Sequence, residues 1–154
     1  LVIGKPDGAL DGVYKLAYAA GKPRIKISES LAKTTIPHAK QVFRTYDTNG
    51  QFNGADVIAL ENEEKPKQIH HPSEPFKKMN VENFEQEPLL HLVMENGQNL
   101  TTNSSLEEIA NFSKRRLALL PLEYKRFDNP HIYKVGISDA LKQERDQLIN
   151  AHKS

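Results

Sequence analysis

The chain has 154 residues, with 21 Lys and Arg against 20 Asp and Glu, so its net charge is only +1. This balance gives no bulk field that would draw nucleic acid or an anionic membrane, and no apolar run approaches the roughly 20 residues of a membrane span. The absence of Cys from the sequence excludes disulfides and thiolate zinc sites and is compatible with the cytosol, so we expect a cytoplasmic protein.

The chain begins inside an apolar run, LVIG at residues 1–4, with no initiator Met and no charged leader of the kind that a signal peptide has. Such a run is typical of a strand, whereas domain boundaries are usually polar and loop-like. Apolar residues make up 38% of the chain and the mean hydropathy is -0.62, both low for a self-contained globule. We therefore expect a piece of a longer protein; a processed terminus of a complete domain is the alternative.

The first part of the chain is predicted to be β-rich. Residues 13–18 alternate so that Tyr14, Leu16 and Tyr18 share one face, and residues 24–28 alternate with Ile25 and Ile27 inward. A turn signal at residues 47–50 separates two further β-type runs, which should pair as a hairpin. The sequence thus predicts four strands of one largely antiparallel sheet, at residues 13–18, 24–28, 41–46 and 56–60.

The middle of the chain changes character. Residues 62–88 are charged and contain several prolines, which predicts a connector with one short extended piece at 68–70. Residues 89–94 and 99–101 flank Asn96-Gly97, a strong signal for a two-residue hairpin turn.

Helical signals come last. Ser104 or Ser105 can cap a helix, with Glu107 or Glu108 completing a capping box, and the helix should stop before the proline at position 121. Residues 131–137 are predicted to form a short strand. The final predicted helix is capped by Ser138, and its apolar stripe consists of Leu141, Leu148 and Ile149.

These elements predict an α+β fold, in which a β-rich antiparallel sheet is followed by a connector, a hairpin and two C-terminal helices. The predicted segments are a β-rich part (1–61), the connector (62–88) and a C-terminal hairpin and helical part (89–154).

Three motifs suggest a site, and each has a simpler explanation. The loop that starts at Asp47 begins like a calcium loop, but Phe52 replaces the required Gly and Ile58 the required Glu, so a hairpin turn is favoured. None of the six histidines has the helical spacing of paired metal ligands. The basic triplet at 114–116 could bind phosphate or nucleic acid, but with carboxylates nearby it is more typical of a solvated helix end.

Several separate segments resemble, in order, the C-terminal portion of nicotinate phosphoribosyltransferase. They are LDGVYKL at residues 10–16, KIS at 26–28, KTTIP at 33–37 with KQVFR at 40–44, DVI at 56–58 with Glu61, LPLEYKR at 120–126 and NPHIYKVGIS at 129–138. The last two are similar to the terminal signature of the longer bacterial-type enzymes. Asp11 stands where the family usually has the first of two glycines, and His38-Ala39 where Pro-Gly is usual. Both departures lie in predicted turns, where they would alter local backbone freedom.

The resemblance implies a two-part enzyme, in which an irregular α/β barrel is joined to a β-rich domain built from N-terminal and C-terminal strands. Its reaction joins nicotinate to phosphoribosyl pyrophosphate and gives nicotinate mononucleotide and pyrophosphate, a step of NAD biosynthesis. ATP hydrolysis is coupled through a phosphohistidine on the barrel, and magnesium accompanies the pyrophosphate. The family is commonly dimeric.

The resemblance also implies that the catalytic machinery lies elsewhere. The family's glycine-threonine phosphate loop lies immediately before the position matching Leu1, and its phosphohistidine lies further upstream. We therefore assign no catalytic, cofactor-binding or metal-binding residue to this chain and expect the chain alone to be inactive. Its expected partner is the remainder of the same enzyme, with no nucleic acid and no membrane.

Two other interpretations remain open at this point. One is a stand-alone β-rich scaffold or binding module, and the other is a fragment of a related phosphoribosyltransferase that uses nicotinamide or quinolinate. In either of the enzyme interpretations, the β-rich part would be incomplete by itself.

Overall fold

The computed structural model describes residues 14–30, 33–101 and 104–152. Within them lie ten strands and three helices. The strands are β1 (Tyr18–Ala19), β2 (Lys22–Pro23), β3 (Lys40–Tyr46), β4 (Phe52–Leu60), β5 (Gln68–His70), β6 (Lys78–Asn80), β7 (Glu85–Pro88), β8 (Met94–Glu95), β9 (Gln98–Asn99) and β10 (Lys134–Ile137). The helices are α1 (Leu106–Ala118), α2 (Leu122–Lys125) and α3 (Asp139–Ala151). The predicted α+β class, with C-terminal helices after a sheet, is confirmed.

The main sheet has the strand order β6-β5-β10-β4-β3-β7. The central strand β4 is buried at most of its positions, as expected for a strand with a neighbour on each side. On one side β3 pairs with it antiparallel, with Val42 opposite Ile58, so the predicted hairpin is confirmed. On the other side β10 pairs with it parallel, with Val135 opposite Asp56.

Two of the four predicted strands are wrong. Residues 24–28 are irregular, and within the described part of residues 13–18 only Tyr18 belongs to a strand. The short strands β1 and β2 form a separate ribbon rather than joining the main sheet. Pro23 has no N–H to donate to a ladder, which limits how far this ribbon can extend. The apolar start at residues 1–4 and the resemblance at residues 10–13 lie outside the described residues.

Tyr14, Leu16 and Tyr18 are exposed because this part of the chain does not join the main sheet. The side chains of Tyr14, Leu16 and Tyr18 are 103%, 67% and 47% exposed. Residues 14–17 form no strand, so the shared face predicted from their alternation does not form.

The segment at residues 62–88 contributes more order than its composition suggests. The extended piece predicted at 68–70 is confirmed as β5, which pairs with β10 and with β6. The strand β7 adds to the other edge by pairing with β3. Both β6 and β7 are short and polar, so local sequence carries little strand signal for them. The hairpin at Asn96-Gly97 is present, although β8 and β9 are shorter than the strands predicted there.

Both predicted helix caps are confirmed. Ser105 and Glu108 form the reciprocal capping box of α1, and Ser138 caps α3 by accepting from the N–H of Leu141. Leu141 and Ile149 are buried, so the predicted apolar stripe of α3 packs inward, against β4 and β5. A hydrophobic core cluster on the sheet, against which Met79 and Phe84 pack, consists of Phe43, Ala55, Val57, Ala59, Ile69 and Val81.

Candidate functional site

An open groove of about 690 Å³ lies among the described residues. This volume lies within the roughly 300–1,000 Å³ that small-molecule sites occupy. The groove lies between the irregular N-terminal segment and the end of α3, and we call it the cationic groove. Its lining residues are Tyr14, Lys15, Leu16, Pro23, Arg24, Ile25, Lys26, Ser28, Lys33, Thr35, Leu148 and His152.

Charge is distributed unevenly in the cationic groove. Four of its lining residues are Lys or Arg, whereas the described lining includes no Asp or Glu. Elsewhere in the described residues, several cations pair with a carboxylate, as Lys67 does with Glu82 at 3.0 Å and Lys142 with Asp146 at 2.6 Å. An unbalanced cluster of cations around a concave surface concentrates positive potential there, although the chain as a whole is nearly neutral.

Backbone contacts hold the groove together. The N–H of Thr35 donates to the carbonyl of Lys26 at 3.1 Å. This bond holds the two lining segments around Lys26 and Thr35 side by side. The ammonium group of Lys15 donates to the carbonyl of Lys33, also at 3.1 Å. The hydroxyl of Thr34 accepts from the N–H of Ser28 at 3.3 Å.

Thr35 is the exception among these contacts. Its side chain lines the groove, the residue is 2% exposed, and its hydroxyl oxygen is buried with no hydrogen-bond partner. A buried hydroxyl without a partner costs free energy, so such groups are few and usually have a reason.

Contacts of Lys40 and His38 fix the conformation of residues 36–40, which follow the last lining segment of the groove. The ammonium group of Lys40 donates to the carbonyls of Ile36, Pro37 and His38, and burial lowers the pKa of Lys40 below its ordinary value. His38 has a φ of 71°, a conformation that glycine adopts more readily, so this departure from the resembled sequence lies at a conformationally demanding position. The imidazole of His38 contacts the carboxylate of Glu144 at 3.3 Å.

A second polar cluster involves Arg44 of β3, Asp56 of β4 and Tyr133, just before β10. Arg44 donates to both carboxylate oxygens of Asp56, at 3.1 and 2.9 Å, and the hydroxyl of Tyr133 donates to Asp56 at 2.8 Å. The hydrogen bond with Asp56 raises the pKa of Arg44, while burial raises the pKa of Tyr133. These groups satisfy one another, so we interpret the cluster as a structural link between β3, β4 and the chain before β10.

Arg116 extends this cluster to α1. Its guanidinium group donates to Glu87 at 2.5 Å and to the hydroxyl of Tyr46 at 2.8 Å, and Tyr46 in turn donates to Glu87. The guanidinium groups of Arg116 and Arg44 both lie over the ring of Phe52, with their central carbons 5.0 and 4.6 Å from the ring centroid. The basic triplet is therefore partly structural, because its last member ties α1 to the sheet.

The other motifs weighed in the sequence have structural partners. The carboxylate of Asp47 accepts from the N–H groups of Asn49 and Gln51, which is the bonding of a turn. His70 pairs with Asp139, and His131 packs edge-on against Tyr124 with ring centroids 5.6 Å apart. Among the described residues no three His, Asp or Glu side chains gather as metal ligands would.

One helix face is left open. No residue of α1 is buried, and its apolar stripe faces solvent, with Leu106 87% and Leu117 60% exposed. Ile109 and Phe112 on the same side are also more than half exposed. A helix whose apolar stripe has nothing to pack against indicates a surface that another part of a protein covers. None of the described helices is long and apolar enough to span a membrane.

The sequence had pointed to none of the groove residues as a site. Arg24 and Lys26 alternate with isoleucines, and that pattern is ordinarily explained by basic residues facing water. Lys33 and Thr35 stood out only as part of the family resemblance. The described parts of three resembling segments, at 14–16, 26–28 and 33–37, contribute residues to the groove lining, and only the fold shows that they lie together.

Comparison with known proteins places the chain in a longer context. The family described as "Nicotinate phosphoribosyltransferase C-terminal domain" matches residues 39–145. A nicotinate phosphoribosyltransferase of Rattus norvegicus is 34% identical over 88% of this chain and 26% of its own length. That of Bacillus subtilis (strain 168) is 32% identical over 100% of this chain and 33% of its own length.

A solved structure agrees. The crystal structure of human nicotinic acid phosphoribosyltransferase superposes with a TM-score of 0.74 and 28% identity, over 92% of this chain and 27% of that one. The chain thus spans about a quarter to a third of the length of the proteins it matches. The resemblance seen in the sequence is confirmed.

Proposed function

Because the chain belongs to the nicotinate phosphoribosyltransferase family, we propose that it is the C-terminal structural domain of an enzyme that makes nicotinate mononucleotide from nicotinate and phosphoribosyl pyrophosphate. The observation that carries this proposal is the match of residues 39–145 to the C-terminal domain of that family. In this proposal the domain serves NAD biosynthesis in the cytoplasm, and it is not itself catalytic.

The proposed partner is the remainder of the same enzyme. The relatives have about three times the length of this chain or more, so most of their polypeptide lies outside the part it matches. The open stripe of α1 is an apolar surface that such a body would bury, and the exposed run of Tyr14, Leu16 and Tyr18 is another. The division into segments 1–61, 62–88 and 89–154 stays a prediction, as does assembly of the parent enzyme into a homodimer.

ATP and magnesium belong, in this proposal, to the parent enzyme and not to this segment. The reaction must stabilise an electron-poor ribosyl carbon and a polyanionic leaving group, which calls for preset cations and backbone donors around the phosphates. The described residues contain the cations of the groove but no gathered set of metal ligands. We propose, from the family resemblance, that the chain alone catalyses no phosphoribosyl transfer.

The test is an assay in two parts. The purified 154-residue chain is incubated with nicotinate, phosphoribosyl pyrophosphate, ATP and magnesium, and nicotinate mononucleotide is measured by chromatography. We expect no product from the chain alone and recovered activity when the remainder of the enzyme is supplied as a separate polypeptide.

Parallel reactions with nicotinamide or quinolinate in place of nicotinate distinguish the related enzymes. Product formed by the isolated chain would overturn its structural role. A reassembled enzyme that prefers nicotinamide or quinolinate would overturn the substrate.

A further inference from the structure

We propose that a second, smaller cavity binds an organic cation that also carries a carbonyl group, as a basic amino-acid residue does. This cavity has a volume of about 320 Å³ and lies between the turn that precedes β4 and the segment that joins α1 to β10. We call it the acidic notch. The lining residues that carry the proposal are Asp47, Asn53, Glu123, Tyr124 and His131.

The first support is a buried amide group without a partner. The side-chain nitrogen Nδ2 of Asn53 is buried and makes no hydrogen bond within the described residues. Asn53 belongs to β4, so the sheet fixes the backbone that carries this amide. A buried donor without an acceptor costs free energy, and such groups are few in folded proteins. A carbonyl oxygen of a ligand in the notch would supply the missing acceptor.

The second support is negative charge that no cation neutralises. Within the described part of the chain, neither Asp47 nor Glu123 belongs to an ion pair. The oxygen Oδ1 of Asp47 accepts two backbone N–H groups, at 2.8 and 2.9 Å, and no hydrogen bond of the described residues engages Oδ2. The neighbouring Arg126 donates to the backbone carbonyl of Glu123 at 3.4 Å and not to its carboxylate. A guanidinium or ammonium group in the notch would therefore meet unpaired carboxylate oxygens.

The third support is an aromatic wall that is already in place. The ring of Tyr124 packs edge-on against His131 and Tyr133, with ring centroids 5.6 and 5.8 Å apart. Its hydroxyl lies against Gly54, where a Cβ would collide with the hydroxyl oxygen. A wall that is held in this way lowers the cost of binding, because the ring does not have to be ordered when a ligand arrives.

Together these features select the class of ligand. Unpaired carboxylates favour a cation and disfavour phosphates, while the amide of Asn53 calls for an acceptor on the same molecule. An organic cation fits better than a metal ion, because no three His, Asp or Glu side chains of the described residues gather as ligands. The volume lies at the low end of the roughly 300–1,000 Å³ that small-molecule sites occupy, which suits a ligand of amino-acid size.

The experiment titrates two probes into the full 154-residue chain and follows its backbone amides by NMR. L-argininamide carries the cation and the carbonyl group, whereas agmatine is the same molecule without the carboxamide. Asn53→Leu removes the buried donor, and Glu123→Gln removes one notch carboxylate at an exposed position. Glu95→Gln removes an exposed carboxylate of β8, outside the notch lining, and serves as the matched control.

We expect the wild type to bind argininamide more tightly than agmatine, with amide shifts in residues 47–53 and 121–131. Asn53→Leu should weaken argininamide by about threefold to tenfold, the effect of losing one hydrogen bond, and leave agmatine unchanged. Glu123→Gln should weaken both probes by only about threefold, because an exposed ion pair contributes little. Glu95→Gln should change neither.

Three results would overturn the proposal: no binding of argininamide, equal effects of Glu123→Gln and Glu95→Gln, or an Asn53→Leu variant that treats both probes alike. The last result separates a ligand contact from a general disturbance of β4, which would weaken the two probes equally.

The same titrations on the chain reassembled with the remainder of the enzyme identify the source of the cation. Retained probe binding indicates a free small molecule. Loss of probe binding, together with weaker reassembly of Glu123→Gln, indicates a basic side chain of the remainder; only this source rests on the proposed function. Loss of probe binding with unchanged reassembly would overturn the proposal, because the notch would merely be covered. No readout requires transferase activity, so this proposal and the proposed function can fail separately.

Discussion

Replacing Arg44 by Met tests whether the buried Arg44–Asp56 pair holds β3 and β4 together. Arg44 donates two hydrogen bonds to Asp56, and Asp56 is only 8% exposed. Methionine keeps most of the apolar stem of the arginine but loses the guanidinium group, which bonds Asp56 and lies over the ring of Phe52. The main effect of Arg44→Met is therefore that the carboxylate of Asp56 loses its positively charged partner.

The magnitude follows from burial. Removing one partner of a fully buried ion pair costs about 3–5 kcal/mol, because the other charge is left uncompensated. Here the side chains of Arg44 and Asp56 are 23% and 11% exposed, so water reaches the site in part, while Tyr133 keeps its bond to Asp56. We expect Arg44→Met to lower the free energy of unfolding by about 2–4 kcal/mol, a large share of a typical domain's ~5–15 kcal/mol.

The assay is urea unfolding followed by circular dichroism, arranged as a double-mutant cycle with Asp56→Asn. Asp56→Asn in the Arg44→Met background removes the orphaned charge and should recover part of the loss. Lys67→Met is the matched control, because its pair with Glu82 is exposed on both sides and should contribute no more than about 1 kcal/mol. A cost of Arg44→Met below that of Lys67→Met, or additive effects of the two cluster substitutions, would refute the reasoning.

Two further predictions concern packing and pH. Gly136→Ala would place a Cβ 2.5 Å from the carbonyl oxygen of His70, a backbone atom that cannot swing aside, so we expect a loss of about 1–3 kcal/mol in urea unfolding; a neutral substitution would contradict this packing. Burial raises the pKa of Glu87, but hydrogen bonds led by that from Arg116 outweigh burial and lower it overall. The stability that Glu87 contributes is therefore present above its unfolded pKa of about 4.3 and lost as the pH falls through the lower folded value. Glu87→Gln should flatten this acid limb of stability in pH-dependent unfolding, and an unchanged limb would contradict it.

The local elements with strong chemical signals could be read directly from the sequence. Ser105 with Glu108 and Ser138 begin helices because their side chains bond backbone N–H groups one turn ahead, and such bonding depends on neighbours in sequence. The hairpin of β3 and β4 follows likewise from alternating residues around a turn. The family could also be recognised from the sequence, because short motifs in a fixed order can be compared without knowing the fold.

The tertiary structure decided what depends on residues distant in the chain. The parallel pairing of β10 with β4 joins Val135 to Asp56, and no local pattern specifies that register. The alternation at residues 24–28 suggested a strand, but that segment has no ladder partner in the described structure and instead lines the groove. Lys26 and Thr35 lie side by side because a backbone hydrogen bond joins two irregular segments, and the sequence does not predict this contact. Side-chain alternation predicts which face of a strand can be buried. Which segment packs against that face, and whether a buried polar group finds a partner, depends on the whole folded chain.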